Sequence, residues 1–60
     1  MSKQTRSKLI EVVKPRADDV IIDILEQPFT WVVYVWNNTE HNAIKYTIGI
    51  DFEIEKKEIL

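Results

Sequence analysis

The chain has 60 residues, of which 45% are hydrophobic and 30% are charged, and its formal net charge is −2. This length allows one domain, residues 1–60, and the composition excludes an intrinsically disordered chain. There is no cysteine, which excludes disulfides and thiolate metal sites. The N-terminus lacks the apolar run of a signal peptide, and no apolar stretch approaches the ~20 residues that span a bilayer. These features predict a cytoplasmic protein without a membrane segment.

Charge is distributed unevenly along the chain. Residues 1–16 contain five basic residues and one acid, a balance of +4, whereas residues 17–60 contain three basic residues and nine acids, a balance of −6. We expect residues 1–6 to form a flexible basic arm. Such an arm can bind nucleic acid, with Lys3, Arg6 and Lys8 as the candidate contacts, or it can be a solvated tail.

The first two predicted elements are a strand and a helix. Ser7 to Lys14 is rich in β-branched residues, which favours a strand that Pro15 ends. Pro15 to Gln27 matches the helical template, since Val20, Ile21, Ile24 and Leu25 share one face at helical spacing. The alternative for this segment is a strand, because the run Val20-Ile21-Ile22 is β-branched.

The next two elements are predicted strands. Phe29 to Trp36 carries apolar residues on both faces, which is typical of a strand that is covered on two sides. Ala43 to Glu55 alternates strictly, which predicts one buried face and one wet face. Between them lies the polar segment 37–42, which suits a turn. The apolar positions of the second strand are Ile44, Tyr46, Ile48, Ile50, Phe52 and Ile54.

The predicted fold is therefore a small α+β domain of order β-α-β-β with a C-terminal antiparallel hairpin. A right-handed crossover through the helix would make the first two strands parallel. Residues 56–60 are predicted to be a short C-terminal tail. The alternative fold is an all-β four-stranded meander or a small barrel.

The sequence offers little for catalysis, metal binding or cofactor binding. The serines, Ser2 and Ser7, lie outside any nucleophile motif, and His41 is the single histidine, in the polar loop. The acids that line the wet strand face are Asp51, Glu53 and Glu55, which we interpret as solvated. The single glycine, Gly49, lies inside a strand, where a bulge or a close backbone approach is expected. We predict no enzyme activity, no cofactor, no metal and no small-molecule substrate.

The aromatic residues are the most informative feature for function. All six lie between Phe29 and Phe52. Trp31 and Trp36 are five positions apart on one strand, so they point to opposite faces, and one of those faces has no evident cover. Tryptophan and tyrosine are favoured at protein interfaces. We therefore expect a non-enzymatic interaction or regulatory protein, an adaptor or inhibitor that self-associates, with Trp31, Tyr34, Trp36 and Tyr46 as partner-binding residues. The alternative is a nucleic-acid-binding module that combines the basic arm with the strand aromatics.

Overall fold

The computed structural model describes residues 1–60. One helix precedes four strands, and the strands form a single antiparallel sheet in chain order, β1-β2-β3-β4. The predicted α+β class is confirmed, but the predicted order β-α-β-β is wrong, because the helix comes first. The open sheet is the four-stranded meander of the alternative prediction with a helix added, and it does not close into a barrel. The elements are α1 (Lys3–Val13), β1 (Asp19–Glu26), β2 (Thr30–Asn37), β3 (Asn42–Gly49) and β4 (Ile54–Ile59).

The helix occupies the segment that was predicted to be an arm followed by a strand. Ser2 caps its N-terminus, where the side-chain oxygen accepts a hydrogen bond from the Thr5 amide at 3.1 Å. Leu9 and Val13 are one turn apart and both buried, so the apolar residues form a stripe on the helix. Lys14 ends the helix in the left-handed conformation, and Pro15 follows. Burial of this stripe outweighs the mild preference of valine and isoleucine for strands.

The segment predicted to be a helix, Pro15 to Gln27, contains β1 instead. Its β-branched run lies in the strand, as the alternative for this segment held. β1 pairs antiparallel with β2, so the predicted parallel crossover is wrong. A short connection, residues 27–29, joins the two strands, and the Gln27 amide donates to the Thr30 carbonyl at 2.9 Å. A bulge between Ile21 and Asp23 shifts the register of this pairing.

The predicted hairpin is confirmed as β2 and β3, which pair from Thr30 with Gly49 to Asn37 with Asn42. The strand predicted to run from Ala43 to Glu55 is interrupted, however, after Gly49. The Phe52 amide donates to the Gly49 carbonyl at 2.9 Å, which closes a turn, and Phe52 adopts a φ of 60°. A new strand, β4, then includes residues 56–59 of the predicted tail.

The core lies between α1 and one face of the sheet. Its buried members come from the helix and the two central strands: Leu9, Val13, Val33, Val35 and Ile48. Partly buried apolar side chains surround them, including Ile21, Ile24, Tyr46 and Phe52. We call this side of the sheet the helix face. No helix of the protein is long and apolar enough to cross a membrane.

Candidate functional site

The opposite side of the sheet has no helix on it. Val33 and Val35 contact the core on the helix face, and since side chains alternate along a strand, their neighbours on β2 point away from α1. The cross-strand pairs extend this surface over all four strands. We call it the open face, and it consists of Val20, Asp23, Leu25, Val32, Tyr34, Trp36, Ala43, Lys45, Thr47, Lys56 and Glu58.

Aromatic side chains lie at the centre of the open face. Tyr34 and Trp36 are both partly exposed, on a central strand. Trp36 is flanked by Val20 on β1 and by Ala43 on β3, and Val20 is 50% exposed. Val32, on the same strand, is 3% exposed even though no helix covers it, because its neighbours enclose it. Aromatic and apolar side chains thus share the open face with charged ones, because Asp23 and Lys45 flank Tyr34 on the two neighbouring strands.

The partner-binding residues predicted from sequence are divided between the two faces. As predicted, Trp31 and Trp36 lie on opposite sides of the sheet. Trp31 and Tyr46 pack against the core on the helix face, whereas Tyr34 and Trp36 lie on the open face. The structure thus brings two of the four predicted residues together on a surface that is free for a partner. Sequence reasoning missed Val20 and Leu25, which join that surface only because β1 is a strand.

Trp31 is shielded by an aromatic stack at the edge of the core. Its ring lies against the Phe52 ring, with a centroid separation of 4.8 Å and an interplanar angle of 24°. The Lys8 ammonium lies 4.4 Å from the centroid of the same Phe52 ring, on the helix side. These contacts hold Phe52 in a left-handed backbone conformation that bulky residues rarely adopt. The stack ties α1 to the turn after β3.

A polar cluster closes the end of the sheet where β2 turns into β3. Asn37 is fully buried, donates from Nδ2 to Asp19 Oδ1 at 2.5 Å and accepts at Oδ1 from the Glu40 amide at 2.6 Å. Thr39 donates from its hydroxyl to Asp18, and the Asn38 amide donates to the Asp18 carbonyl at 3.1 Å. Here the turn is fixed to the start of β1, which holds three strands in register.

The environment of Asp19 clearly shifts the pKa of its carboxyl group. The Arg16 backbone amide donates to Asp19 Oδ2 at 2.8 Å, and the Asn37 side chain donates to the other oxygen. These hydrogen bonds, aided by the nearby Arg16 guanidinium, hold the pKa of Asp19 below its ordinary value of 3.8. An ionised, fully bonded carboxylate suits a structural role. No group of three or more His, Asp or Glu side chains is arranged to hold a metal ion.

The basic residues predicted to contact nucleic acid lie on α1. Lys3 and Lys8 line a shallow, open depression on the outer side of the helix together with Gln4, Ser7 and Glu11. Arg6 is also exposed on this helix. Since α1 covers the helix face, the sheet separates these side chains from Tyr34 and Trp36. The structure therefore does not bring the basic residues and the exposed strand aromatics into one site.

The fold and this surface define a small α+β protein with a bare sheet face. Comparisons of the chain with protein-family models, with curated proteins and with solved structures found no match.

Proposed function

We propose that this chain is a small non-enzymatic interaction protein, an adaptor or inhibitor, that binds protein through its open face and self-associates. The observation that carries the proposal is the position of Tyr34 and Trp36, partly exposed at the centre of a sheet face that no other element covers. Exposed aromatic and apolar side chains mark interaction sites, and large aromatic side chains supply much of the binding energy there.

The electrostatics of the open face support a protein partner over a nucleic acid. Its two lysines, Lys45 and Lys56, are matched by two acids, Asp23 and Glu58, and the Lys56 ammonium lies 3.8 Å from Glu58. Single-strand binding by aromatic stacking depends on a surplus of positive charge along the phosphate path. Balanced charge among aromatic and apolar side chains is instead compatible with a protein interface.

The test uses two serine substitutions of exposed aromatic residues. Tyr34→Ser alters the centre of the open face, whereas Phe29→Ser alters a side chain that is 77% exposed in the β1–β2 turn. Immobilised full-length protein would be exposed to extract from its native host, and the amount of each retained protein, this chain included, would be quantified. Far-UV circular dichroism would confirm that both variants fold.

We expect Tyr34→Ser to reduce retention of the bound protein at least about 10-fold, which corresponds to the loss of one moderate hot spot. Phe29→Ser should retain it like the wild type. Equal retention by the wild type and a folded Tyr34→Ser variant would contradict the proposal, as would the absence of any retained protein.

A further inference from the structure

The strand β1 has the more apolar of the two free edges of the sheet. β1 and β4 are the outer strands, so each has one side with which no other strand pairs. Most residues of β4 are charged, which opposes the addition of another strand. β1 instead carries a single charge, Asp23, within the run from Val20 to Leu25, and Ile22 is exposed there. Apolar, β-branched strands of this kind pair with other chains when their edge is free.

The ladder with β2 determines which amides of β1 point toward the free edge. The Gln27 amide donates to the Thr30 carbonyl, in continuation of the β1–β2 register. Bonded and non-bonded pairs alternate along an antiparallel ladder, so the amides of Ile24 and Glu26 point away from β2. Ile22 is the extra residue of the bulge, which disrupts regular pairing on the other side of Asp23. Ile24 and Glu26 therefore hold the donors with which an added strand would pair.

The Asp23 side chain occupies the first of these donors. Its Oδ1 accepts a hydrogen bond from the Ile24 amide at 2.9 Å. A side chain that bonds to a neighbouring backbone group competes with sheet pairing for that group. The carboxylate thus stands where the carbonyl of an added strand would have to lie.

We infer that Asp23 closes the β1 edge against a second copy of this chain. Without its carboxylate, the Ile24 amide is free to bond to β1 of that copy. In an antiparallel pairing about a two-fold axis at Leu25, Ile24 lies opposite Glu26 of the other copy, so free donors meet acceptors and no two acids face each other. The inference goes beyond the proposed function, which concerns the open face and does not depend on this edge.

The experiment separates the hydrogen bond of Asp23 from its charge. Sedimentation equilibrium would give the self-association constants of the wild type and of each variant, and circular dichroism would show that they fold. Asp23→Ala removes the acceptor and the charge, whereas Asp23→Asn keeps an acceptor oxygen. The matched control, Glu26→Ala, removes one charge from the same edge and leaves the Ile24 contact in place. Asp23→Ala combined with Glu26→Pro also removes the second outward amide, at an edge position where proline costs no ladder hydrogen bond.

We expect Asp23→Ala to strengthen self-association at least about 10-fold, because a hydrogen bond to a charged group no longer competes with strand addition. Asp23→Asn, Glu26→Ala and the double variant should stay within about 3-fold of the wild type. A folded Asp23→Ala variant that associates like the wild type would overturn the inference. Equal strengthening by Asp23→Asn would overturn it too, since charge alone would then be the cause.

Amide hydrogen exchange of the wild type gives a test that needs no variant. After correction for intrinsic rates, the Ile24 amide should exchange at least about 10-fold more slowly than the Glu26 amide, although both point to the free edge. Equal exchange at the two positions would show that Asp23 does not hold the Ile24 amide, and the inference would fail. Tyr34-dependent capture of a partner tests the proposed function separately, and neither result at the β1 edge changes it.

Discussion

Single residues at the β2–β3 turn explain how so small a core holds a regular sheet. Asn37 is the one fully buried polar side chain, and each of its amide atoms that forms a hydrogen bond joins a different segment of the chain. A buried amide without hydrogen bonds costs about 1–3 kcal/mol. Asn37 avoids this cost because both its Nδ2 and its Oδ1 form hydrogen bonds. The sequence shows Asn37 only as one of several polar residues in a turn, and nothing in its spacing distinguishes it from Asn38.

Asp19 makes stability depend on pH. Its pKa is lowered in the folded state, so its stabilising contribution is fully present above the unfolded value, near 3.8, and is lost as pH falls through the folded pKa. We predict that urea unfolding will show a decrease in stability below about pH 4 that is smaller in Asp19→Asn, because an amide cannot titrate there. Ser7→Ala, on the exposed side of α1, is the control; it removes no titratable group and should follow the wild type. An Asp19→Asn variant with the wild-type acid dependence would contradict this assignment.

Among the elements, α1 contributes two of the five buried residues of the core, as many as β2. Leu9 is fully buried and is itself one of these five residues. The helix also anchors the turn after β3 through the contact of Lys8 with Phe52. An element of 11 residues is marginal as an isolated helix, so its formation depends on this packing.

We predict that Leu9→Ala will destabilise the protein by about 2–5 kcal/mol, the usual cost of a cavity at a buried leucine. A domain of this length has only about 3–9 kcal/mol of stability in total, so a large part of the population should unfold. Thermal and urea unfolding followed by circular dichroism would measure the change. Ser7→Ala, exposed on the same helix, should change stability by less than about 0.5 kcal/mol. A Leu9→Ala variant as stable as Ser7→Ala would show that α1 does not hold the sheet.

At the scale of the whole molecule, the sheet divides the surface in two. The basic helix covers one side, and the open face with its exposed aromatic side chains forms the other. This division separates the two features that a nucleic-acid-binding module would combine.

We predict that single-stranded oligonucleotides bind weakly at low salt, and that any binding depends on the helix and not on the open face. Fluorescence anisotropy would compare Lys3→Ala with Tyr34→Ser. Loss of one phosphate contact should weaken binding and reduce the salt dependence, whereas Tyr34→Ser should leave both unchanged. Strong binding that needs both Lys3 and Tyr34 would contradict the separation of the two surfaces.

The sequence by itself determined the hairpin of β2 and β3 and the opposite directions of the two tryptophans. These follow from local geometry, because alternation along a strand assigns each side chain to a face whatever the rest of the chain does. The period-2 pattern that runs to Glu55 did not show the turn at Gly49, since a left-handed Phe52 is held by its stack on Trp31, a contact 21 positions away.

Only the tertiary structure decided which segment is the helix. The segments 3–13 and 19–26 each have apolar residues that fit either period, so propensity could not separate them. Tertiary packing distinguishes the two segments. β1 forms a ladder of hydrogen bonds with β2, while α1 covers one face of the sheet and buries Leu9 and Val13 there. One helix can cover one face only. The same physical limit leaves the open face bare and makes it the surface through which this protein is proposed to act.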